Sequence, residues 1–417
     1  MDQFLLSKNV LLKIVNDDIT FNTALKNAFR KKDVDPVIKN NVHALVGCEL
    51  RHQYMFDNLI SRFFDEVEFE KTIYLRFALA NKQFLRRFNT NELLQLAKQD
   101  LPADKVDSLM NFIDSTNEII PSSLDKASPE FLSLRYNTPA WVIRMWQKQY
   151  GKGVVFKTLK VNYRPSIKTI RINPREVNID DFVAKHPNFA KSPIADMVIY
   201  QGRGNAINLD ELKTGKAFFM RMATKYVLDL LDLDPLKGIA VYTEVPNNIY
   251  LDIVTRFGKD VHMDLVINNQ SYYYEARKNA QEKGFTHIYI YESAYTGLIT
   301  CLSKKVHTLI CLPKSTSFDF LRSTPDYFLR IKQEQLDEII NVELASLEEC
   351  CNYVEEGGEL VYMIPTLSRK ESSNLIANFL VKHHDFELVD ERQFFPFEIY
   401  DSCLYFARLK KVEAPSD

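Results

Sequence analysis

The 417-residue chain predicts a multidomain protein: an all-α region over 1-125, a small α+β module over 130-210, and an α/β domain with a mainly parallel, doubly wound sheet over 211-412. Three observations carry this reading. Apolar residues of the first third recur at helical spacing. Short strands mix with helical material in the middle. From about residue 215 onward, buried-type strands alternate with helices.

In the first region Leu59, Phe63 and Phe64, then Ile73, Leu75, Phe77 and Leu79, follow the helical period, and Gly47 is the sole glycine. Asn89 to Glu92 offers a helix start before Leu93, Leu94 and Leu96, and Leu101 to Asp104 offers another. Pro121 to Pro129 reads as a linker. Trp141 to Tyr150 reads as an amphipathic helix ended by Gly151 and Gly153. Strands are expected at Val154–Phe156, Ile170–Ile172 and Met197–Tyr200, with helical material at Ile179–Lys185. A helix over Met220–Leu233 precedes strands at Ile239–Tyr242, Val261–Leu265, Ile288–Tyr291, Thr308–Leu312, Glu359–Ile364 and Ser402–Ala407. Such sheets bind ligands at the carboxyl ends of their strands.

The bulk composition excludes several classes. Hydrophobic residues make up 46% and charged residues 26%, as in a soluble globular protein. A net charge of -2 supplies no global field toward nucleic acid or membrane, so any RNA affinity rests on local clusters. Cys48, Cys301, Cys311, Cys350, Cys351 and Cys403 form no Cys-x-x-Cys pair and no metal-ligand spacing. The start carries an acid early and no long apolar core, and no stretch reaches the length of a membrane span. A reduced, cytoplasmic protein is expected, with neither membrane nor DNA as partner. With 12 glycines, the chain has little material for the Gly-rich loops that cradle nucleotide-type cofactors.

Several short stretches then line up in order. They are Ala44 to Arg51; Tyr136-Asn137-Thr138-Pro139-Ala140-Trp141 followed by Trp146 and Tyr150-Gly151; Thr169 to Asn173; Arg322-Ser323-Thr324-Pro325-Asp326; and Gly357-Gly358-Glu359-Leu360-Val361-Tyr362. On these, nearly the whole chain resembles the RsmB/NOP family of S-adenosylmethionine-dependent RNA cytosine-5 methyltransferases. It looks most like the bacterial ribosomal RNA small subunit methyltransferase B branch. The resemblance implies a NusB-like helical N-terminal domain that binds RNA or protein, a small ferredoxin-like module, and a Rossmann-like class I methyltransferase domain.

The chain departs from that pattern where the chemistry lies. The family's cofactor loop, Asp-x-Cys-Ala-Ala-Pro-Gly-Gly-Lys-Thr, corresponds to Val241 to Tyr250; Pro246 remains, both glycines are asparagines, and Glu244 adds a charge. Asn tolerates a left-handed backbone but keeps a side chain where close approach is needed. Asp264 is taken to end the second strand of the sheet and to match the ribose-binding acid, or else to be a solvated strand-end acid. The resemblance implies two cysteines, one attacking the cytosine ring and one assisting release. Lys314 and Pro365 stand at their positions. Cys311, and less so Cys301, could substitute as a displaced thiol, although a buried inert cysteine is the commoner case. Lys314 reads as a basic residue toward RNA or solvent, or as a base if desolvated.

Every charge from Lys148 to Arg175 is positive: Lys148, Lys152, Lys157, Lys160, Arg164, Lys168, Arg171 and Arg175, with Tyr150, Phe156 and Tyr163 among them. Cations neutralise phosphates and aromatic rings stack unpaired bases, so these residues and Arg322 are the expected RNA contacts, solvated surface being the alternative. A second patch is expected from Arg30-Lys31-Lys32, Arg51, Arg62, Arg76, Lys82, Arg86 and Arg87, or else a mixed solvated face. His383-His384-Asp385 reads as surface, with no metal. The reading is an RNA-binding protein, its partner small-subunit ribosomal RNA, built on an inactive enzyme's frame and with no cofactor expected. The alternatives are an active methyltransferase, which would use S-adenosylmethionine, and a protein-interaction or antitermination factor.

Overall fold

The structure, a computed structural model, describes residues 2–30, 34–116, 119–164, 166–202, 207–258 and 261–412. Lys31 and Lys32 lie outside the described residues. The chain forms two compact units: Met1–Arg164 with Phe320–Gln333, and Pro165–Asp319 with Glu334–Asp417.

The first unit is helical. It holds α1 (Gln3–Asn16), α2 (Phe21–Arg30), α3 (Pro36–Ile60), α4 (Phe69–Ala80), α5 (Thr90–Asp100), α6 (Ala103–Ser115), α7 (Pro129–Tyr136), α8 (Ala140–Tyr150) and α9 (Lys152–Asn162). Leu45, Val46, Phe56, Leu59, Ile73, Phe77, Leu93 and Leu109 are sealed in its core. Local sequence starts the helices. Asp2 accepts from Phe4 N at α1, Asp35 accepts from Val37 N ahead of Pro36 at α3, and Asn89 accepts from Asn91 N and Glu92 N at α5. α4 continues into a π-helical turn, Asn81–Leu85, which Arg86 closes in the left-handed region at φ 50. Asn81 secures that exit by donating to Phe88 O and Thr90 Oγ1 and accepting from Arg87 N and Phe88 N.

The strand expected at Val154–Phe156 is instead part of α9. Gly151, at φ 82, turns the chain directly from α8 into α9. Val155, Thr158 and Leu159 then bury themselves at spacings of three and four, and the buried helical face outweighs the β-propensity of Val-Val-Phe. The basic residues from Lys148 to Arg164 therefore belong to the helical unit.

The second unit begins with β1 (Thr169–Ile172), α10 (Ile179–Lys185), β2 (Phe189–Lys191), β3 (Met197–Tyr200), α11 (Asp210–Lys213) and β4 (Ala217–Phe219). The strands form an antiparallel sheet in the order β2-β3-β1-β4, the ferredoxin-like connection. There follow α12 (Met222–Leu230), β5 (Ile239–Thr243), α13 (Ile249–Phe257), β6 (Met263–Ile267), α14 (Gln270–Glu282), β7 (Ile288–Glu292), α15 (Leu298–Cys301) and β8 (Val306–Leu312). After α16 (Tyr327–Arg330), which lies in the first unit, come α17 (Leu336–Cys351), β9 (Val354–Ile364), α18 (Ser373–Lys382), β10 (Phe386–Gln393) and β11 (Tyr405–Lys411).

The large sheet has the order β10-β11-β9-β8-β5-β6-β7. β5 to β9 run parallel, β11 alone is reversed beside β9, and β10 pairs antiparallel with β11 and so runs in the direction of the rest. Ile239, Val241 and Leu265 pack with α12, α13 and α14 on one face. Tyr242, Val266 and Cys311 pack with α17 and α18 on the other. The sheet order reverses at β5, whose neighbours are β6 and β8, and the crevice at its carboxyl end is where such sheets bind ligands.

Candidate cofactor crevice and nucleic-acid surface

The chain leaving β5 is held by its own side chains. Asn247 Nδ2 donates to Thr243 Oγ1 at 2.9 Å and to Val245 O at 3.0 Å, and Asn247 Oδ1 accepts from Ile249 N at 3.0 Å, the first residue of α13. Tyr272 donates to the Asn247 carbonyl, and Asn248 Nδ2 donates to Phe219 O at 2.7 Å. The left-handed backbone that asparagine would tolerate is not used, for neither Asn247 nor Asn248 has a positive φ. An amide that would face a cofactor at this helix start is thus occupied by Asn247. Pro246 lies exposed at the tip of the loop.

Glu244 occupies the crevice itself. Its carboxylate accepts from Tyr242 Oη at 2.9 Å, from Ser346 Oγ of α17 at 3.3 Å and from Asn268 Nδ2 at 3.3 Å. Asn268 is the residue just after β6, where nucleotide-binding sheets place the ribose-binding acid. Asp264 does not hold that place. It is the second residue of β6, paired in register with Ala240 and Tyr289, and so lies toward the amino end of the strand. The strand expected at 261–265 runs two residues later than the apolar pattern suggested, which moves its acid away from the crevice. Burial raises the Asp264 carboxyl above its ordinary range, opposed by a hydrogen bond from Tyr291.

At the two positions where the family resemblance implies thiols, Lys314 is exposed just beyond β8, and Pro365 is buried just beyond β9. The Pro365 carbonyl accepts from Asp319 N. Cys311 is fully buried against Leu347 and Cys350, so no substrate reaches its thiol. Burial, reinforced by the Cys311 contact, holds the Cys350 thiol well above its usual range. Beside them lies an arrangement that the sequence reading missed. Glu371 accepts from Thr316 N at 2.7 Å, Thr316 Oγ1 at 2.8 Å and Thr366 Oγ1 at 2.6 Å. Glu343 on α17 has no exposure, and neither of its carboxyl oxygens meets a hydrogen-bond partner. Burial first, and the Glu371 charge second, hold Glu343 well above the usual carboxylate range. A glutamate in an amphipathic helix gives no sequence signal of such burial.

The expected RNA contacts divide. Lys148, Lys152, Lys157, Lys160 and Arg164 are exposed on the helical unit. Arg322, in the same unit, donates to the Arg164 carbonyl at 3.0 Å. In the second unit Lys168 is half-buried with its ammonium 5.9 Å from the Tyr200 ring, and Arg175 is exposed with its guanidinium on the Arg256 carbonyl. Arg171 is not a surface contact. It is 2% exposed and ion-paired with Asp252 at 2.7 Å and Asp196 at 3.3 Å, because alternation on β1 turns it inward. In the second expected patch, Arg76 is likewise buried, on Glu49 and Asp57. Arg51 donates to Gly47 O, Arg62 to Asn58 and Ile119 O, and Lys82 pairs with Asp114. Arg86 and Arg87 are exposed. His383 stacks on Phe379 at 4.2 Å, and no cluster able to hold a metal occurs among the described residues. No described helix is long and apolar enough to cross a membrane.

The chain is 19% identical over 398 residues to the probable ribosomal RNA small subunit methyltransferase B of Bacillus subtilis, covering 90% of this chain and 88% of that one. Its fold is similar to the crystal structure of PH0851, with a TM-score of 0.77 at 16% identity and 99% coverage of both chains. It is also similar to NSun6 from Pyrococcus horikoshii, solved with SFG, with a TM-score of 0.57 at 11% identity over 65% of this chain and 98% of that one. No protein-family model matches the chain.

Proposed function

Starting from a chain that is an RsmB/NOP-like member of the ribosomal RNA methyltransferase family, we propose that it binds ribosomal RNA without methylating it. The observation that carries this reading is the pair of catalytic positions, Lys314 exposed and Pro365 buried, where the family resemblance calls for thiols. Cytosine-5 chemistry through a covalent adduct needs a nucleophile at the ring. Proline has none, and Lys314 presents an amine to solvent where the chemistry calls for a thiolate.

The crevice supports the same conclusion. S-adenosylmethionine carries a carboxylate and a ribose diol. Asn268 is neutral where an acid would receive the diol, Glu244 brings its own negative charge, and Asn247 occupies the amide at the start of α13. The exposed lysines of α8 and α9 supply the phosphate contacts for the retained activity, RNA binding, with small-subunit ribosomal RNA as the partner.

Calorimetric titration with S-adenosylmethionine tests the first half of the proposal, with no saturable heat at millimolar cofactor expected. Electrophoretic shift with small-subunit ribosomal RNA tests the second, with a salt-sensitive complex expected. The competing reading, an active methyltransferase, draws on the methyltransferase names of its relatives. Methyl transfer to that RNA above the level of a protein-free control would establish it and remove the proposal.

A further inference from the structure

The exposed aromatic rings among the described residues of the helical unit are Phe84, Phe156 and Tyr163, at 39%, 43% and 39%. They are not scattered. Phe84 stacks on His52 with centroids 3.6 Å apart, His52 meets Tyr163 edge-on at 5.5 Å, Tyr163 meets Tyr136 at 6.1 Å, and Tyr136 meets Phe156 at 6.4 Å. The result is one continuous chain of rings in which every second ring is open to solvent.

The chain is held from beneath. His52 Nδ1 lies 2.7 Å from the Cys48 carbonyl, and its Nε2 bonds the Tyr163 hydroxyl. Phe84 projects from the π-helical turn that Arg86 closes. Rings fixed in this way lose little freedom when something stacks on them.

The surroundings are cationic. Lys160 Nζ sits 4.7 Å over the Phe156 ring. Arg51 and Arg135 act through charge on both His52 and Tyr163. Arg86 and Arg87 follow Phe84, and no acid interrupts the chain from Lys148 to Arg164. A purely apolar protein partner would gain nothing from these charges, whereas a polyanion with free planar faces uses both features.

We propose that this ring chain is a stacking surface for unpaired bases of single-stranded RNA, with Lys152, Lys157, Lys160 and Arg87 receiving its phosphates. The proposal rests on the RNA-binding reading above and adds the form of RNA and the place. Bases within a duplex are stacked on each other and offer no free face, so the surface selects loops, bulges and ends.

The test measures fluorescence anisotropy of the full chain with a labelled single strand of about 12 nucleotides, and with the same sequence as a duplex. The wild-type chain is expected to prefer the single strand. The double variant Phe84→Leu/Phe156→Leu is expected to weaken single-strand binding about tenfold or more, to leave duplex binding unchanged, and to melt as the wild type does. A leucine variant that binds single strands like the wild type, or a wild-type preference for duplex, overturns the stacking surface while the RNA-binding reading stands. Failure of the wild-type chain to bind any RNA overturns both.

Discussion

Arg171 on β1 donates Nε–H to Asp252 on α13 at 2.7 Å, with the arginine 2% exposed and the aspartate fully sealed. Arg256 takes the other carboxylate oxygen at 2.6 Å. The four-stranded sheet is thereby pinned to a helix of the large sheet. Removing one partner of a buried pair leaves an uncompensated charge, at a cost of about 3–5 kcal/mol. Arg171→Ala is expected to lower the unfolding free energy by that order, read as a fall in the urea midpoint, and to leave the salt dependence of RNA binding intact. A weaker salt dependence at unchanged stability would make Arg171 an RNA contact after all.

His52 and Glu49 predict opposite pH slopes in the helical unit. Burial, opposed by the Cys48 carbonyl, drops His52 to about 4, with Arg51 and Arg135 lowering it further. The unfolded chain then binds the extra proton between about pH 4 and the ordinary histidine value of about 6.5, so this contribution to stability rises with pH across that window. Burial raises Glu49 to about 7 against the pull of Arg76. The folded chain binds that proton, and this contribution falls as pH rises from about 4.5 to 7. Each spans about 3 kcal/mol. His52→Gln should expose the fall and Glu49→Gln the rise. Trp141 and Trp146, the only tryptophans, both lie in this unit, so intrinsic fluorescence in urea reads it selectively.

Glu343 lies sealed beside Glu371, and burial first, with the Glu371 charge second, keeps its carboxyl protonated. A carboxyl raised in the folded state favours folding at low pH and loses that contribution as pH climbs above its unfolded value. Glu343→Leu should therefore raise stability at neutral pH by about 1–3 kcal/mol and flatten the curve above pH 5. A destabilised leucine variant would show instead that the Glu343 proton is shared with Glu371 and holds that pair together.

The α9 lysines predict a salt signature. Each of Lys152→Ala, Lys157→Ala and Lys160→Ala should reduce the slope of log affinity against log salt for single-stranded RNA by about 0.7. An unchanged slope in all three would remove α9 from the interface.

Asn247→Gly places a glycine where the resemblance implies one, yet it deletes the side chain that ties Thr243, Val245 and Ile249 together. A loss of about 1–2 kcal/mol is expected, with no calorimetric signal for S-adenosylmethionine gained.

The periodicities that the sequence displays are those of buried faces. The strand at 239–243 was readable because Ile-Ala-Val-Tyr is buried on both faces of the sheet. β10 was missed because Glu387, Asp390 and Glu391 lie on an exposed edge strand and carry no apolar pattern. Lys314 and Pro365 were located from flanking motifs, Pro313 and the Gly357-Gly358 pair, and their assignment to thiol positions rests on the resemblance alone. The acid of the crevice was not. The strand ends two residues later than expected, at Ile267, which leaves Asp264 four residues before the place that Asn268 holds. Burial of Arg171 and Glu343 was equally hidden, because a charged residue looks the same in sequence whether it faces water or a partner across the fold.

The interlock of Glu244 with Tyr242, Asn268 and Ser346 also bears on how the crevice can change. Tyr242 and Asn268 donate to the carboxylate, Ser346 lies beside it with its shorter bond to the Val342 carbonyl, and Asn247 ties the same loop from within. Replacing any single member strands hydrogen bonds before a ligand can compensate for them. A loop whose donors and acceptors are already committed to one another gives up these bonds before it can take up a new ligand, so any sequence that opens it passes first through a less stable one.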